Sequence, residues 1–241
     1  MTEQVIDQTE TWSLALGASP AADRRLRLWG GLSGLAGAIC LAVYFGTPAL
    51  VGWPFSGVSG EELMRYATSH RFLFYAGAWL QVTGTLLSVV FFLTIVLEAR
   101  ATARLWGLVT IVASTAMLSV VLLEAAFLVA VPMAAAAGDT ATARSMFQLS
   151  NGVFVRVFPL APASATLIGL GLVLQSSRVL TRQFAYAALG LGIAFELAGI
   201  LSTVSFIGFV ATILLSLAQM LWVTAAGISF ALSARGSVRS N

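Results

Sequence analysis

Residues 105–134 of the chain read LWGLVTIVASTAMLSVVLLEAAFLVAVPMA, and Glu124 is the one charged residue among them. An apolar run of this length exceeds the roughly 20 residues that a helix needs to cross a bilayer. A lone charge at the centre of a membrane helix costs about 2.5–3.5 kcal/mol on insertion scales, so such a group normally has a partner, a water-filled cavity or a function. The stretch therefore predicts a membrane-spanning helix that carries a buried polar site.

Further apolar runs of similar character surround this stretch. They lie near 28–50, 72–97, 147–175, 184–203 and 208–233. Hydrophobic residues make up 59% of the 241 residues and the mean hydropathy is +0.92, whereas soluble domains are roughly 45–50% apolar. The sequence predicts an all-α, polytopic transmembrane helix bundle of six spans over residues 26–234. A polar N-terminal tail at 1–25 precedes the bundle and a short tail at 235–241 follows it.

The arginines predict the orientation of the bundle, because basic residues are enriched in cytoplasmic loops. With the N terminus in the cytoplasm, the cytoplasmic segments contain Arg24, Arg25, Arg27, Arg100, Arg104, Arg178, Arg182, Arg235 and Arg239. The outer loops then contain Arg65, Arg71 and Arg144. Nine arginines against three predict that both termini are in the cytoplasm. An even number of spans agrees with this, because it puts both termini on the same side of the membrane. We therefore expect a multi-pass protein of the cytoplasmic membrane, in contact with membrane lipid.

Several function classes are excluded by composition. The chain has no lysine, which removes Schiff-base chemistry and retinal binding. The arginines are scattered at helix ends rather than gathered on one face, so no nucleic-acid partner is expected. The single Cys40 allows no intrachain disulfide. His70 lies near Glu61 and Glu62 but lacks a second nitrogen or sulfur ligand, and no cofactor motif is found, so we expect neither a metal nor a cofactor.

The loop between the first two spans predicts a short outer helix. Ser59 is followed three residues later by Glu62, which is the spacing of a capping box. We expect the helix to begin after Ser59 and to lie on the outer surface as an amphipathic element.

Polar residues within the spans fall on helical faces that should point toward protein rather than lipid. Gln81, Thr85 and Ser88 share one face of the second span, and Ser216 and Gln219 share one face of the last. In the fourth span two prolines at 159 and 162 predict a kink near the charged residue of that span.

The charged residues of three spans predict a buried polar cluster. Counting along the helices places Glu124 and Arg156 at similar depth in neighbouring antiparallel spans, and Glu196 nearer the midplane. We expect a Glu124–Arg156 ion pair, with Glu196 either sharing the arginine or held protonated by its apolar surroundings. The candidate ligand-binding residues are Glu124, Arg156, Glu196, Gln81, Gln219 and Asn151.

The first span also carries small residues at helical spacing. Gly30 and Gly34, with Ser33 and Gly37 offset, allow another helix to approach closely. This face predicts helix packing, and a homo-oligomer contact is the alternative.

Two segments carry a resemblance to a wider group of proteins. They are Ser59-Gly60-Glu61-Glu62 through His70-Arg71, and Leu122-Leu123-Glu124-Ala125-Ala126. With these segments, residues 26–233 loosely resemble six-span integral membrane proteins of unknown function from high-GC, actinobacterial-type bacteria. The resemblance implies a fold and a membrane location, and it carries over no activity.

Four functional interpretations fit these observations. The leading one is a membrane protein whose polar core binds a small or lipid-like ligand. The alternatives are an intramembrane lipid- or isoprenoid-modifying enzyme that uses the buried carboxylates, a small transporter or accessory subunit, and a non-catalytic scaffold or sensor. An enzyme predicts an enclosed apolar pocket that ends at the carboxylates, and a dry, filled centre favours the scaffold.

Overall fold

The computed structural model describes residues 20–54 and 57–236, and within them every regular element is helical. The helices are α1 (Pro20–Val51), α2 (Gly60–Ser69), α3 (Arg71–Glu98), α4 (Leu105–Ala136), α5 (Thr140–Gly152), α6 (Ser164–Ser176), α7 (Arg182–Ser202) and α8 (Phe206–Gly236). Two π-helical segments, Val153–Val157 and Pro159–Ala163, join α5 to α6. Most of the predicted N-terminal tail, and the end of the C-terminal tail, lie outside the described residues.

Six helical stretches in the described part of the chain are long and apolar enough to cross a membrane. They are Arg24–Thr47, Arg71–Glu98, Leu105–Ala136, Thr140–Ser176, Arg182–Ser202 and Phe206–Ala234. The all-α, six-span fold class is therefore confirmed, and the chain is a multi-pass membrane protein. The fourth stretch combines α5, both π-helical segments and α6 into one span.

One end of the bundle is marked by arginines and exposed aromatic rings, and we call it the arginine end. Arg27 donates through Nε to Glu98 Oε1 at 2.8 Å, which ties the start of α1 to the end of α3. Nearby, Trp29, Trp106 and Tyr186 are exposed, as is typical of aromatic residues at a membrane interface.

The opposite end, which we call the α2 end, extends further on one side of the bundle than on the other. Ser202, the last residue of α7, donates through its hydroxyl to the Val155 carbonyl at 2.9 Å. All of α5 therefore lies beyond the end of α7, and its 13 residues correspond to about 20 Å of helix. Together with α2 and the adjoining ends of α3 and α4, this helix forms a structure that we call the cap.

The cap has its own hydrophobic core. Its buried side chains come from four helices and include Leu63, Ala67, Phe74, Leu128, Val131 and Phe147. The predicted capping box begins α2: the Ser59 hydroxyl accepts the Glu62 amide at 3.3 Å, and Glu62 Oε2 accepts from the Ser59 amide at 3.3 Å. Hydrogen bonds from Ser59 lower the pKa of the Glu62 carboxyl, because they stabilise its charged form.

The glycine face predicted on the first span is occupied within the bundle. A Cβ at Gly37 would lie 2.7 Å from the Gly84 carbonyl of α3, and one at Gly34 would lie 2.8 Å from the Phe91 ring of α3. At the neighbouring Gly31, outside the predicted face, a Cβ would lie 2.6 Å from the Gly227 carbonyl of α8. Any side chain at these positions would push the backbones apart. The face therefore packs α1 against its own neighbours, and these glycines do not present a free surface to a second copy.

Candidate functional site

Glu124 is the most deeply buried acid of the described residues, and α4 directs it toward α3 and α1. The residue is 2% exposed. Gln81 Nε2 of α3 donates to Glu124 Oε2 at 2.6 Å, and the Tyr44 hydroxyl of α1 donates to Oε1 at a longer 3.5 Å. Two neutral donors thus satisfy the carboxyl without a cation. A buried polar group needs such partners, because it loses its hydrogen bonds to water.

The predicted Glu124–Arg156 ion pair is not formed. Arg156 is exposed, and the ion pair found among the described residues joins Arg27 to Glu98. The physical reason lies in the π-helical segment Val153–Val157, which contains Arg156. A π turn inserts a residue and rotates the following side chains, so counting along a regular helix gives the depth of Arg156 without its direction.

A small central cavity lies beside Gln81. Its polar lining residues are Gln81, Thr85, Ser88, Ser216 and Gln219. The cavity has a volume of about 30 Å³, which is room for about two water molecules. Gln81 Oε1 is buried and has no hydrogen-bond partner among the described residues. The Gln81 amide therefore holds Glu124 through its nitrogen and leaves an acceptor free beside this cavity.

Aromatic and sulfur-containing side chains close the central cavity. Phe154 and Phe158 of the π-helical region stack with their ring centres 5.9 Å apart, and Phe45 of α1 lies 5.7 Å from Phe154. Met117 and Met220 complete the apolar lining. The centre of the bundle is nearly filled.

A second, larger cavity lies between α1 and α3 on the other side of Glu124. It has a volume of about 300 Å³ and is lined mainly by apolar groups, namely Val43, Trp53, Phe72, Leu73, Ala76, Gly77 and Leu80. Tyr44 also lines it, and the Tyr44 hydroxyl is bonded to Glu124. Thr47 lines it as well but donates its hydroxyl to the Val43 carbonyl at 2.6 Å. The polar end of this cavity is therefore Tyr44 with Glu124 behind it.

The predicted candidates are thus divided among separate places. Glu124 and Gln81 are in direct contact, and Gln219 lines the central cavity with Gln81. Arg156 and Asn151 instead line a third, polar cavity at the end of α7. The structure does not bring all six candidates into one cluster.

Glu196 occupies a place of its own between α7 and α6. Ser164 donates its hydroxyl to Glu196 Oε2 at 2.6 Å, and no arginine in the part of the chain that the structure describes shares the carboxyl. The glycines on its face allow the close approach that the sequence indicates, since a Cβ at Gly192 would lie 2.9 Å from the Ser164 carbonyl. Glu196 is partly buried, and its place differs from that of Glu124.

Sequence reasoning missed two residues that matter here. Tyr44 completes the Glu124 cluster, and its signal was a phenol within an otherwise apolar span, since a buried tyrosine hydroxyl usually finds a partner. Glu98 pairs with Arg27 at the arginine end. In the sequence, Arg27 is interpreted only as an indicator of orientation. Among the described residues, no three His, Cys, Asp or Glu side chains come together as ligands for a metal ion.

Comparison of the chain with protein-family models, with curated proteins and with solved structures found no match. The fold and the site define a class of protein, namely a six-span membrane protein with a buried carboxyl between two cavities. Any activity has to be argued from that site.

Proposed function

We propose that the chain is a protein of the cytoplasmic membrane that binds a small, lipid-like amphiphile in the cavity between α1 and α3. Tyr44 would form the polar end of the site, with Glu124 behind it. The observation that carries the proposal is the Tyr44 hydroxyl, bonded to the buried Glu124 carboxyl, in the lining of an apolar cavity of about 300 Å³. Ligand sites are typically apolar cavities of about this size or larger, with a few polar groups that fix orientation.

The chemistry of the polar end selects the headgroup. The Tyr44 oxygen and the Glu124 carboxyl behind it accept hydrogen bonds, whereas the unpartnered Gln81 Oε1 lies beside the central cavity. A ligand with an amine or hydroxyl headgroup would donate to them, and an anionic headgroup would be buried there without a cation, which is costly. The apolar lining suits a hydrocarbon portion of modest length.

The depth of Gln81 along α3 supports a site near one boundary of the membrane. Gln81 is 17 residues from Glu98, which is about 26 Å along α3. The site therefore lies close to the far boundary of a hydrocarbon layer of about 30 Å. With both termini in the cytoplasm, as the arginine distribution indicates, this boundary is the outer one.

The nearly filled centre is what the scaffold interpretation predicts, and the apolar cavity next to Glu124 suits an enzyme as well as a binding protein. Glu196 is bonded to Ser164 at a separate place, so one of the two intramembrane acids stands near this cavity, and ligand binding is the simpler interpretation. The central cavity has room for about two water molecules, so an isoprenoid chain does not fit there. Proline-broken backbone is found at one span, Thr140–Ser176, whereas many transporters have broken helices in both halves. The scaffold interpretation becomes the better one if the cavity binds no ligand.

Binding of three ten-carbon probes tests the proposal. We expect decylamine and 1-decanol to bind the purified protein in nanodiscs, measured by calorimetry and by thermal stabilisation at submicellar concentrations. Decanoate should bind about tenfold more weakly or not at all, because its charged headgroup would be buried against a lining that holds no cation.

Three variants locate the binding. Glu124→Gln should weaken decylamine about tenfold, because it removes the charge-assisted bond. Gly77→Leu should abolish binding of both probes by filling the cavity, where a Cβ has room at 3.6 Å from the Tyr44 ring. Glu196→Gln, the matched control at the other intramembrane acid, should bind as the wild type does. Equal binding of decanoate, or full binding by Gly77→Leu, would overturn the proposal.

A further inference from the structure

Arg156 lies at the depth where a membrane changes from hydrocarbon to headgroups. Ser202 at the end of α7 is bonded to Val155, the neighbour of Arg156. The 21 residues of α7 span about 30 Å, which matches the hydrocarbon thickness of a bilayer. Because α7 starts at Arg182 beside the interfacial Tyr186, its other end, and Arg156 with it, reaches the opposite boundary.

A polar cavity of about 590 Å³ opens around this arginine. Its polar side chains are Gln148, Asn151, Arg156, Ser202, Thr203 and Ser205. No acidic side chain lines it, and no carboxyl of the described residues pairs with Arg156. A guanidinium without a counter-ion in a space of this size is a site for an anion.

The hydrogen-bonding pattern leaves donors directed at such an anion. Arg156 supplies a planar set of N–H groups that matches phosphate in a bidentate manner. The Ser205 oxygen accepts the Ile207 amide at 3.1 Å, so its own O–H group is free to donate. Asn151 uses one N–H on the Phe147 carbonyl at 2.9 Å and retains the other.

Apolar side chains next to the cavity are exposed. Val204, Phe206 and Ile207, in and after the turn between α7 and α8, are 82%, 69% and 67% exposed. In a bilayer these side chains would contact acyl chains, directly adjacent to the guanidinium. A positive, hydrogen-bonding cavity beside a hydrocarbon-contacting surface is complementary to a phospholipid, whose phosphate and acyl chains are joined in one molecule.

We infer that the cavity around Arg156 binds the phosphate headgroup of an anionic phospholipid from the leaflet at the α2 end. Arg156 contacts the phosphate, and Ser205 and Asn151 complete the hydrogen bonds. The cap stands beside the bound headgroup, since α5 carries Gln148 and Asn151. This site is separate from the Glu124 site, and it does not depend on the function proposed there.

Native mass spectrometry of the detergent-solubilised chain with phosphatidylglycerol and phosphatidylcholine tests the inference. The wild type should bind phosphatidylglycerol more tightly than phosphatidylcholine. Arg156→Gln should weaken phosphatidylglycerol binding about tenfold, the effect expected for loss of a charge-assisted pair, and leave phosphatidylcholine unchanged. Arg144→Gln is the matched control, because Arg144 is also an exposed arginine at the α2 end but does not line the cavity.

Several outcomes would overturn the inference. One is that Arg156→Gln binds phosphatidylglycerol as tightly as the wild type does. Another is that Arg144→Gln loses as much affinity for phosphatidylglycerol as Arg156→Gln does. Displacement of phosphatidylglycerol by equimolar inorganic phosphate would identify a free-anion site instead of a lipid site.

A second measurement uses the unmodified chain and so does not depend on variant folding. Photoactivatable phosphatidylglycerol should label peptides that contain residues 148–156 or 202–209. Labelling confined to other peptides would also contradict the inference.

Discussion

Glu124 and Arg156 lie on consecutive, antiparallel parts of the chain, yet their surroundings are opposite. Glu124 belongs to the regular helix α4 and is buried between Gln81 and Tyr44. Arg156 belongs to a π-helical segment and is exposed in a polar cavity. Helical regularity therefore decides the difference: a continuous helix keeps a side chain on its expected face, and a π turn moves it to another.

Chemical labelling gives the largest contrast between the two residues. In a Cys40→Ala background, Arg156→Cys should react with a membrane-impermeant thiol reagent added from outside the cell, because its position is exposed at the α2 end, which is the outer end in the orientation that the arginines predict. Glu124→Cys should be protected because its position is buried. Labelling is measured by mass shift on intact cells and on permeabilised cells.

The two ways in which labelling can fail have different meanings. Reaction of Arg156→Cys only after permeabilisation would reverse the orientation that the arginines predict. Reaction of Glu124→Cys as fast as Arg156→Cys would remove the burial difference itself.

Removal of the main partner of Glu124 should destabilise the bundle strongly. Gln81→Leu deletes the 2.6 Å hydrogen bond and leaves a carboxyl buried with one long bond. We expect a loss of roughly 1–3 kcal/mol in the free energy of unfolding, the cost of leaving a buried polar group without its partner, measured by denaturant titration in detergent. Gln148→Leu, at an exposed glutamine of α5, is the control and should change stability by less than about 0.5 kcal/mol.

An exposed carboxyl in the cap sharpens the contrast with the buried one. The pKa of Glu62 is lowered from its ordinary value of 4.5 by hydrogen bonds from Ser59, so the charged form stabilises the start of α2 above that pH. The contribution is lost as the pH falls below 4.5 toward the lowered value in the folded protein. The protection factors of the first amides of α2, which are exchange rates corrected for the intrinsic effect of pH, should fall in that range.

The control for this acid effect is Ser59→Ala, which lacks the hydroxyl that bonds Glu62. Exchange in this variant should be faster at neutral pH and respond less to acid. An identical acid response in both proteins would show that the capping box is not its source.

The smallest expected effect is the coupling between the two residues themselves. Glu124→Gln and Arg156→Gln should have additive effects on unfolding, with a coupling energy within about 0.5 kcal/mol of zero, because residues without shared partners behave independently. A double-mutant cycle in detergent measures it. A coupling of several kcal/mol would restore the ion pair that the sequence predicts.

The fold was predictable because each span carries its own signal. The length of the apolar run at 105–134, for example, is enough to predict α4. The spacing of Ser59 and Glu62 predicts the start of α2. The burial of Glu124 was also predictable, since a carboxyl in such a run has to point toward protein. These features depend on local sequence and helical period.

The partners of the charged residues were not predictable in the same way. Gln81 and Tyr44 meet Glu124 only because α1, α3 and α4 adopt particular rotations, and sequence spacing does not fix rotations between helices. The two prolines at 159 and 162 indicated a kink, but they did not reveal the π turns that begin at Val153. Arg156 lies within the first of these turns and lines another cavity instead of meeting Glu124.

The unequal heights of the two sides of the bundle also shape the membrane around the protein. The cap extends about 20 Å beyond the end of α7, which is the length of α5. It therefore covers one side of the turn between α7 and α8. The phospholipid that we infer at Arg156 would therefore be covered by protein on the side of α5 and remain accessible from the bilayer along α7 and α8.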